Sequence, residues 1–347
     1  MKDENLVKKE EKDEEKKYIN LYFFKIKIGI IITYIYMTIS ILMNIINRVL
    51  FHQYKFKFNF TLIFLQQFLC MITFWLLSYN SSFKIKIGDI STKDFQSLKF
   101  TYITFSLIFI MNNLAGFYGN QLIVNTPMFL TLRKLLMVMF FMTDLFIGKK
   151  KFSAFIGVCI FLVSFGSLLA GIDDFSADYI GYVVVLIYNT ITVIYNKYSE
   201  TFKRRTGFTN LKLLVYNSMI SCPILLMLIF VSGEYKKVNN YFMDMKIVEY
   251  GSKIHFLFFL LMSCTFCVGL IVCLFLSNES NSSLFTNMLS NSKDIMITCL
   301  SYFYLKGNKF TPKVLGGLFI ATIGAVLNSV KSFYDNTKRI KKTKKNE

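Results

Sequence analysis

Apolar runs of about twenty residues recur ten times along this chain of 347 residues, at roughly 28–48, 60–79, 99–118, 125–147, 153–171, 179–198, 211–232, 255–277, 283–305 and 312–333. A helix of about 20 residues crosses a hydrocarbon core. Lipid offers no partner to a bare N–H or C=O, so each spanning segment must close its hydrogen bonds on itself. This pattern predicts an all-α polytopic membrane protein with ten transmembrane helices. The composition agrees, with 54% hydrophobic residues, 18% charged and 3 Pro.

In a soluble protein a net charge of +19 would point to nucleic acid. Here topology accounts for it. With the N-terminus in the cytosol, 27 of the 40 Lys and Arg fall on the cytosolic side, nine on the other, and four within spans. That bias follows the positive-inside rule and places both termini in the cytosol. The loop 172–178, with Asp173, Asp174 and Asp178 and no base, suits the lumenal side. Nucleic-acid binding is therefore not expected. The first 20 residues are a mixed charge run without an apolar core, so a disordered N-terminus over 1–25 and no cleavable signal are expected. The seven cysteines all lie within spans, and Cys264 and Cys267 read as small core residues rather than a redox or metal pair.

Shifting the chain by 159 residues lays the fourth and fifth spans on the ninth and tenth. Leu130 meets Leu289, Lys134 meets Lys293, Gly148 meets Gly307, Lys150 meets Lys309, Gly157 meets Gly316 and Leu168 meets Leu327. Five spans is an odd number, so two such copies lie inverted in the membrane, the arrangement of secondary transporters. The repeats are expected at about 26–171 and 179–333, followed by a basic tail over 334–347. Gly166-x-x-x-Ala170 and Gly317-x-x-x-Ala321 predict close helix contacts.

Several spans carry polar faces. In the ninth, Ser283, Thr286, Ser290 and Lys293 follow one helical stripe, and Asn287, Asn291, Asp294 and Thr298 the next. Such a face must line a cavity or meet protein. In the fourth span, Asn125, Thr126 and Pro127 predict a capped helix start. Arg133 and Lys134 follow, about 100° apart around the helix. One therefore faces a cavity and the other a neighbouring helix, an acid such as Asp144 or polar backbone. The repeat register favours Lys134 for the cavity. Tyr216 and Asn217 open the seventh span; Asn offers donors and an acceptor for a nucleobase edge. The sixth span adds Tyr188, Asn189, Tyr195 and Asn196, and the first adds Asn44, Asn47 and Arg48. His52 and His255 sit at span edges, where an interfacial role is expected. Buried cations with Asn, Tyr and hydroxyl groups suit an anionic cargo, a diphosphate joined to a base and a sugar.

At these residues the chain resembles the nucleotide-sugar transporters of the drug/metabolite transporter superfamily, nearest the branch for UDP-glucuronic acid, UDP-N-acetylgalactosamine and UDP-N-acetylglucosamine. "NTPMFLTLRK" (125–134) is similar to that branch's N-L-P-M-F-T-V-L-R-R. "LVYNSMISCP" (214–223) resembles its Y-Y-N-A stretch leading into proline. "NSSLFTNMLSNSKDIMIT" (281–298) resembles N-S-A-L-T-T-T-I-V-G-C-I-K-N-I-L-I-T, and "INRVLF" (46–51) resembles V-N-K-A-V-L. Ser290 stands where the family has glycine, Asp294 where it has asparagine, and Lys134 where it has a second arginine. The resemblance implies a ten-helix antiporter of Golgi or endoplasmic reticulum membranes, bringing UDP-sugar into the lumen and returning UMP by alternating access. It also implies that Tyr216 and Asn217 contact the base and Lys293 the phosphate or sugar.

The candidate binding set is thus Lys293, Tyr216, Asn217, Lys134, Arg133, Asn189, Asn281, Ser290 and Asn47. No cofactor, metal or catalytic residue is expected. Expected partners are UDP-sugar, UMP and membrane lipid, with a homodimer as a candidate assembly. Lys344 and Lys345 match the dilysine signal read by coat-protein retrieval machinery; the plainer reading is a basic tail attracted to lipid headgroups. The alternative cargo is a sugar phosphate or phosphoenolpyruvate exchanged for phosphate, as in translocators of the same superfamily. A membrane-embedded transferase using Asp173, Asp174 and Asp178 lacks supporting histidines, and a seven-helix receptor fails on the span count.

Overall fold

The computed structural model describes residues 18–21, 24–78, 92–147, 153–171, 179–207, 210–244, 253–280, 293, 296, 297, 300 and 311–346. A short hairpin comes first: β1 (Tyr18–Leu21) pairs antiparallel with β2 (Phe24–Lys27). It takes in the end of the stretch expected to be disordered. There the charge run gives way to alternating Ile19, Leu21, Phe24 and Ile26, a strand pattern.

All other elements are helical, and the fold is that of an all-α polytopic membrane protein. α1 (Ile28–Arg48) runs into a π-helical turn (Val49–Gln53). α2 (Asn59–Ser78), α3 (Thr92–Leu122), α4 (Thr126–Phe146), α5 (Ala154–Gly171), α6 (Tyr179–Thr206) and α7 (Asn210–Val231) follow. A short helix, α8 (Glu234–Asp244), precedes α9 (Lys253–Ser280) and α10 (Pro312–Asn346). Nine of the ten expected spans thus coincide with long helices. The ninth lies largely outside the described residues, although Lys293, Met296, Ile297 and Leu300 are helical. Among the described residues, seven helices are long and apolar enough to cross a membrane on length and composition alone. α4 carries three charged residues and α5 is short, which keeps both out of that set.

Local sequence explains the helix ends. Pro127 stands in the first turn of α4, as expected, where its missing N–H costs no helical bond. Asn125 occupies the cap position, but its side chain makes no cap hydrogen bond, a correction to the expected capping. Gly207 ends α6 with φ +66°, and its N–H donates to Lys203 O at 2.8 Å. Pro223 lies inside α7 and withdraws one donor from its ladder.

The packing obeys the expected two-fold relation. α5 packs on α10, and α2 on α7. α1 packs on α9 as α6 packs on α3, and α2 on α9 as α7 on α3. Replace each helix by the one five spans later and the pairs map onto one another. Small residues permit the closest of these contacts. A Cβ on Gly166 would stand 2.5 Å from Ala321 N and Gly317 O, so α5 and α10 touch backbone to backbone at these small residues.

Candidate functional site

Arg133 is turned toward α6. Its guanidinium lies over the Tyr188 ring, with Cζ 3.8 Å from the centroid. Nη1 donates to Asn189 Oδ1 at 2.7 Å and reaches Thr192 Oγ1 at 3.4 Å. Asn189 is fully buried, and its Nδ2 donates to Leu132 O at 2.9 Å. Both ends of that amide are therefore engaged, which makes Asn189 a positioning residue for Arg133. The Thr192 hydroxyl sits 2.7 Å from Asn112 Oδ1 and 2.8 Å from Tyr188 O, tying the niche to α3.

Lys293 enters a matching niche on α1. Nζ donates to Ser40 Oγ at 2.7 Å and lies 5.7 Å from the centroid of the Tyr36 ring. Tyr36 and Ser40 on α1 correspond to Tyr188 and Thr192 on α6 at an offset of 152 residues. The correspondence continues through Thr38 and Thr190, Ile39 and Ile191, and Asn44 and Asn196. Asn44 Nδ2 donates to Ser40 O, and Asn196 Nδ2 to Thr192 O, both at 2.8 Å. The first and sixth helices therefore present the same Tyr-x-Thr-Ile-Ser/Thr-x-x-x-Asn niche. The expected set omitted Tyr36, Ser40 and Thr192; this second internal repeat is the signal that reveals them.

One apolar cluster joins the two niches. Ile41, beside Ser40, packs with Ile297, one turn from Lys293; Leu132, beside Arg133, and Val185, one turn from Tyr188, belong to the same cluster. The first, fourth, sixth and ninth spans therefore converge there. Both cations rest on neutral oxygens and aromatic faces. Asp144, near the end of α4, forms an ion pair with Lys197. A half-buried cation held by neutral groups keeps its charge available to an anion.

The remaining expected residues distribute as follows. Lys134 is buried on the next position of α4. Tyr216 and Asn217 lie on α7. The Tyr216 ring is 6.3 Å from that of Tyr102, and Asn217, 3% exposed, accepts from Ser221 Oγ at 3.4 Å. The adjacent Ser218 donates to Gln67 Oε1 on α2 at 2.9 Å. Asn47 accepts from Ser263 Oγ at 2.7 Å, and that hydroxyl accepts from Gln66 Nε2 at 2.9 Å, a bridge across α1, α9 and α2. Asn281 and Ser290 fall outside the described residues, as do Asp173, Asp174 and Asp178.

Fold and site together define a multi-pass helical membrane protein with paired cationic niches at its centre. No protein-family profile matches the chain. It is 26% identical to the UDP-galactose/UDP-glucose transporter 7 of Arabidopsis thaliana over 63% of its length, a match spanning 66% of that protein, just under two thirds. It is 26% identical to the Arabidopsis thaliana UDP-N-acetylglucosamine transporter UGNT1 over 70% of its own length and 69% of that protein's. With the UDP-sugar transporter sqv-7 of Caenorhabditis elegans the identity is 24%, over 86% of this chain and 87% of the relative. The chain is thus similar to proteins named as transporters of several different UDP-sugars.

Proposed function

We propose that this protein is a nucleotide-sugar antiporter, exchanging cytosolic UDP-sugar for lumenal UMP by alternating access. UDP-N-acetylglucosamine, UDP-N-acetylgalactosamine and UDP-glucuronic acid are the cargoes the sequence resemblance favours. The observation that carries the reading is the pair of repeat-related niches in which Arg133 and Lys293 rest on Tyr, Asn and hydroxyl groups, with no carboxylate among the described residues of either niche. Phosphate groups supply the missing negative charge, and Arg and Lys are their usual ligands. In this scheme Tyr216 and Asn217 on α7 read the uracil ring, and Lys134, Asn281 and Ser290 contribute to the polar wall. The excess of Lys and Arg on one side supports cytosolic termini, in a Golgi or endoplasmic reticulum membrane. The relatives' names support a UDP-sugar over a free sugar phosphate.

Proteoliposomes preloaded with UMP and offered labelled UDP-sugars, GDP-sugars and sugar phosphates in parallel test the proposal. UDP-sugar uptake that depends on internal UMP is the expected result. Uptake of sugar phosphates alone would overturn the nucleotide reading.

A further inference from the structure

Arg48 is 2% exposed at the end of α1 and lies outside both niches. Its Nη1 donates to Ile123 O at 3.2 Å and Val124 O at 3.0 Å, and Cζ lies 5.2 Å from the Phe129 ring centroid. Those carbonyls belong to the non-helical break between α3 and α4. Four residues on, His52 Nε2 donates to Asn120 O at 3.0 Å. At the start of α2, Asn59 and Gln121 exchange side-chain hydrogen bonds at 2.5 and 3.4 Å. An aromatic layer closes over the same end: Phe51 on Phe117 at 5.3 Å, Tyr54 on Phe256 at 5.5 Å, and Phe56 on Tyr241 at 5.7 Å.

We infer that this end of the bundle is a closed gate latched by Arg48. Three observations carry the inference. First, Arg48 holds neutral carbonyls rather than a carboxylate, and its Nη2 is buried without a partner. Water can replace such bonds when the gate opens, whereas a buried ion pair would resist separation. Second, its acceptors lie on the break at 123–125, where the chain can bend without breaking a helical ladder. Third, the repeat exposes an asymmetry. Residues 46–51, at the end of α1 and in the π-helical turn, are all buried, whereas at the offset of 152 the end of α6 is mixed, with Ser199 and Phe202 buried and Glu200 and Thr201 exposed. The two ends of equivalent helices are thus packed unequally. The latched end is lumenal under the topology proposed above, so the gate's sidedness rests on that reading.

Thiol labelling tests this without any nucleotide, so its failure is separable from failure of the transport proposal. Asn120→Cys is placed in a chain whose only other cysteine is Cys159. The Asn120 side-chain oxygen has no partner, and His52 binds the backbone, so the substitution leaves the latch in place. Cys159, buried against α10 at 1% exposure, reports whether the fold is intact. In sealed vesicles a membrane-impermeant maleimide should label Asn120→Cys slowly from the lumenal side. Adding Arg48→Gln should accelerate that labelling at least about tenfold while Cys159 stays protected. Arg48→Lys, which keeps the charge but loses the fork, should fall between. An unchanged rate, a parallel rise at Cys159, or acceleration from the cytosolic side alone would overturn the inference. Should Arg48→Gln not fold, a labelling rate in Arg48→Lys equal to that of the Arg48 protein would overturn it as well.

Discussion

Replacing Asn189 by alanine removes the strongest contact that holds Arg133 in place. The bond from Nη1 is 2.7 Å long, half-buried and donated by a charged group, and such bonds contribute about 1.5–3 kcal/mol net. If Arg133 binds anionic cargo only when held over Tyr188, that energy passes into cargo affinity, and half-saturation should rise about ten- to 150-fold. Tyr188→Leu removes the ring under the guanidinium, worth about 0.5–2 kcal/mol, and should cost about two- to thirtyfold. Thr201→Ala is the control: its exposed side chain bonds the carbonyl one turn back on its own helix, and exchange should stay within about twofold. UDP-sugar exchange in proteoliposomes, with melting temperature measured on the same preparations, gives both readouts. The decisive comparison is a double-mutant cycle. In an Arg133→Gln background, Asn189→Ala should have no further effect on half-saturation, because nothing remains for it to position. Equal losses with and without Arg133, or a lower melting temperature with unchanged half-saturation, would refute the positioning role.

Lys293→Ala should abolish exchange while the protein still purifies as a folded species by size-exclusion chromatography, since Nζ holds a single hydroxyl among the described residues. Gly166→Ala forces a Cβ to 2.5 Å from the backbone of α10 and should destabilise by about 1–3 kcal/mol, whereas Gly157→Ala meets nothing within 4 Å and should be neutral; thermal melting separates them. Glu234→Ala removes a carboxylate that accepts from both Thr61 N and Thr61 Oγ1 at 2.8 Å at the start of α2, and should cost about 0.5–2 kcal/mol in the same assay. Burial, with Tyr54 alongside, pushes the Tyr241 hydroxyl up from 10.0 to about 12. The folded state therefore favours the protonated phenol; its contribution is complete below about pH 10 and is lost as pH climbs toward 12. Tyr241→Phe should flatten the fall in melting temperature over that window.

The helices were legible because lipid leaves the backbone one solution and imposes a length on it. Nine spans fall where apolar runs of about 20 residues placed them, and Gly166 meets Gly317 and Ala321 because only small residues allow such an approach. Asn125 shows the limit. Its position beside Pro127 marks the helix start, yet whether its side chain turns back onto the first N–H depends on neighbours from other helices. The same limit separated Arg133 from Lys134. Helical geometry requires them to diverge by about 100°, but which one meets α6 depends on Tyr188 and Asn189, 55 and 56 residues further along. Asn47 reads in the sequence as a binding residue, and only the fold reveals that its side-chain oxygen accepts from Ser263 Oγ between α1 and α9.

The two niches also explain why the fourth span carries adjacent cations while the ninth carries one. At the offset of 159 residues Lys134 corresponds to Lys293, and Arg133 to Ser292. In the second half the lysine itself fills the Tyr and hydroxyl niche on α1; in the first half the preceding arginine fills the niche on α6. The niche is repeated, but the cation entering it is displaced by one residue, about 100° around the helix. Arg133 brings a planar fork that Asn189 can fix, and Met37, which stands in place of Asn189 on α1, offers Lys293 no such acceptor. One grip is therefore rigid and directional, and the other is a mobile point charge. Repeat symmetry supplies two sites of equal shape, and this one-residue displacement makes them chemically unequal. Arg133→Lys should on this argument resemble Asn189→Ala in transport, because a lysine in the α6 niche would restore the symmetry and lose the fork. Transport kinetics equal to those of the Arg133 protein would show that charge alone is what the niche requires.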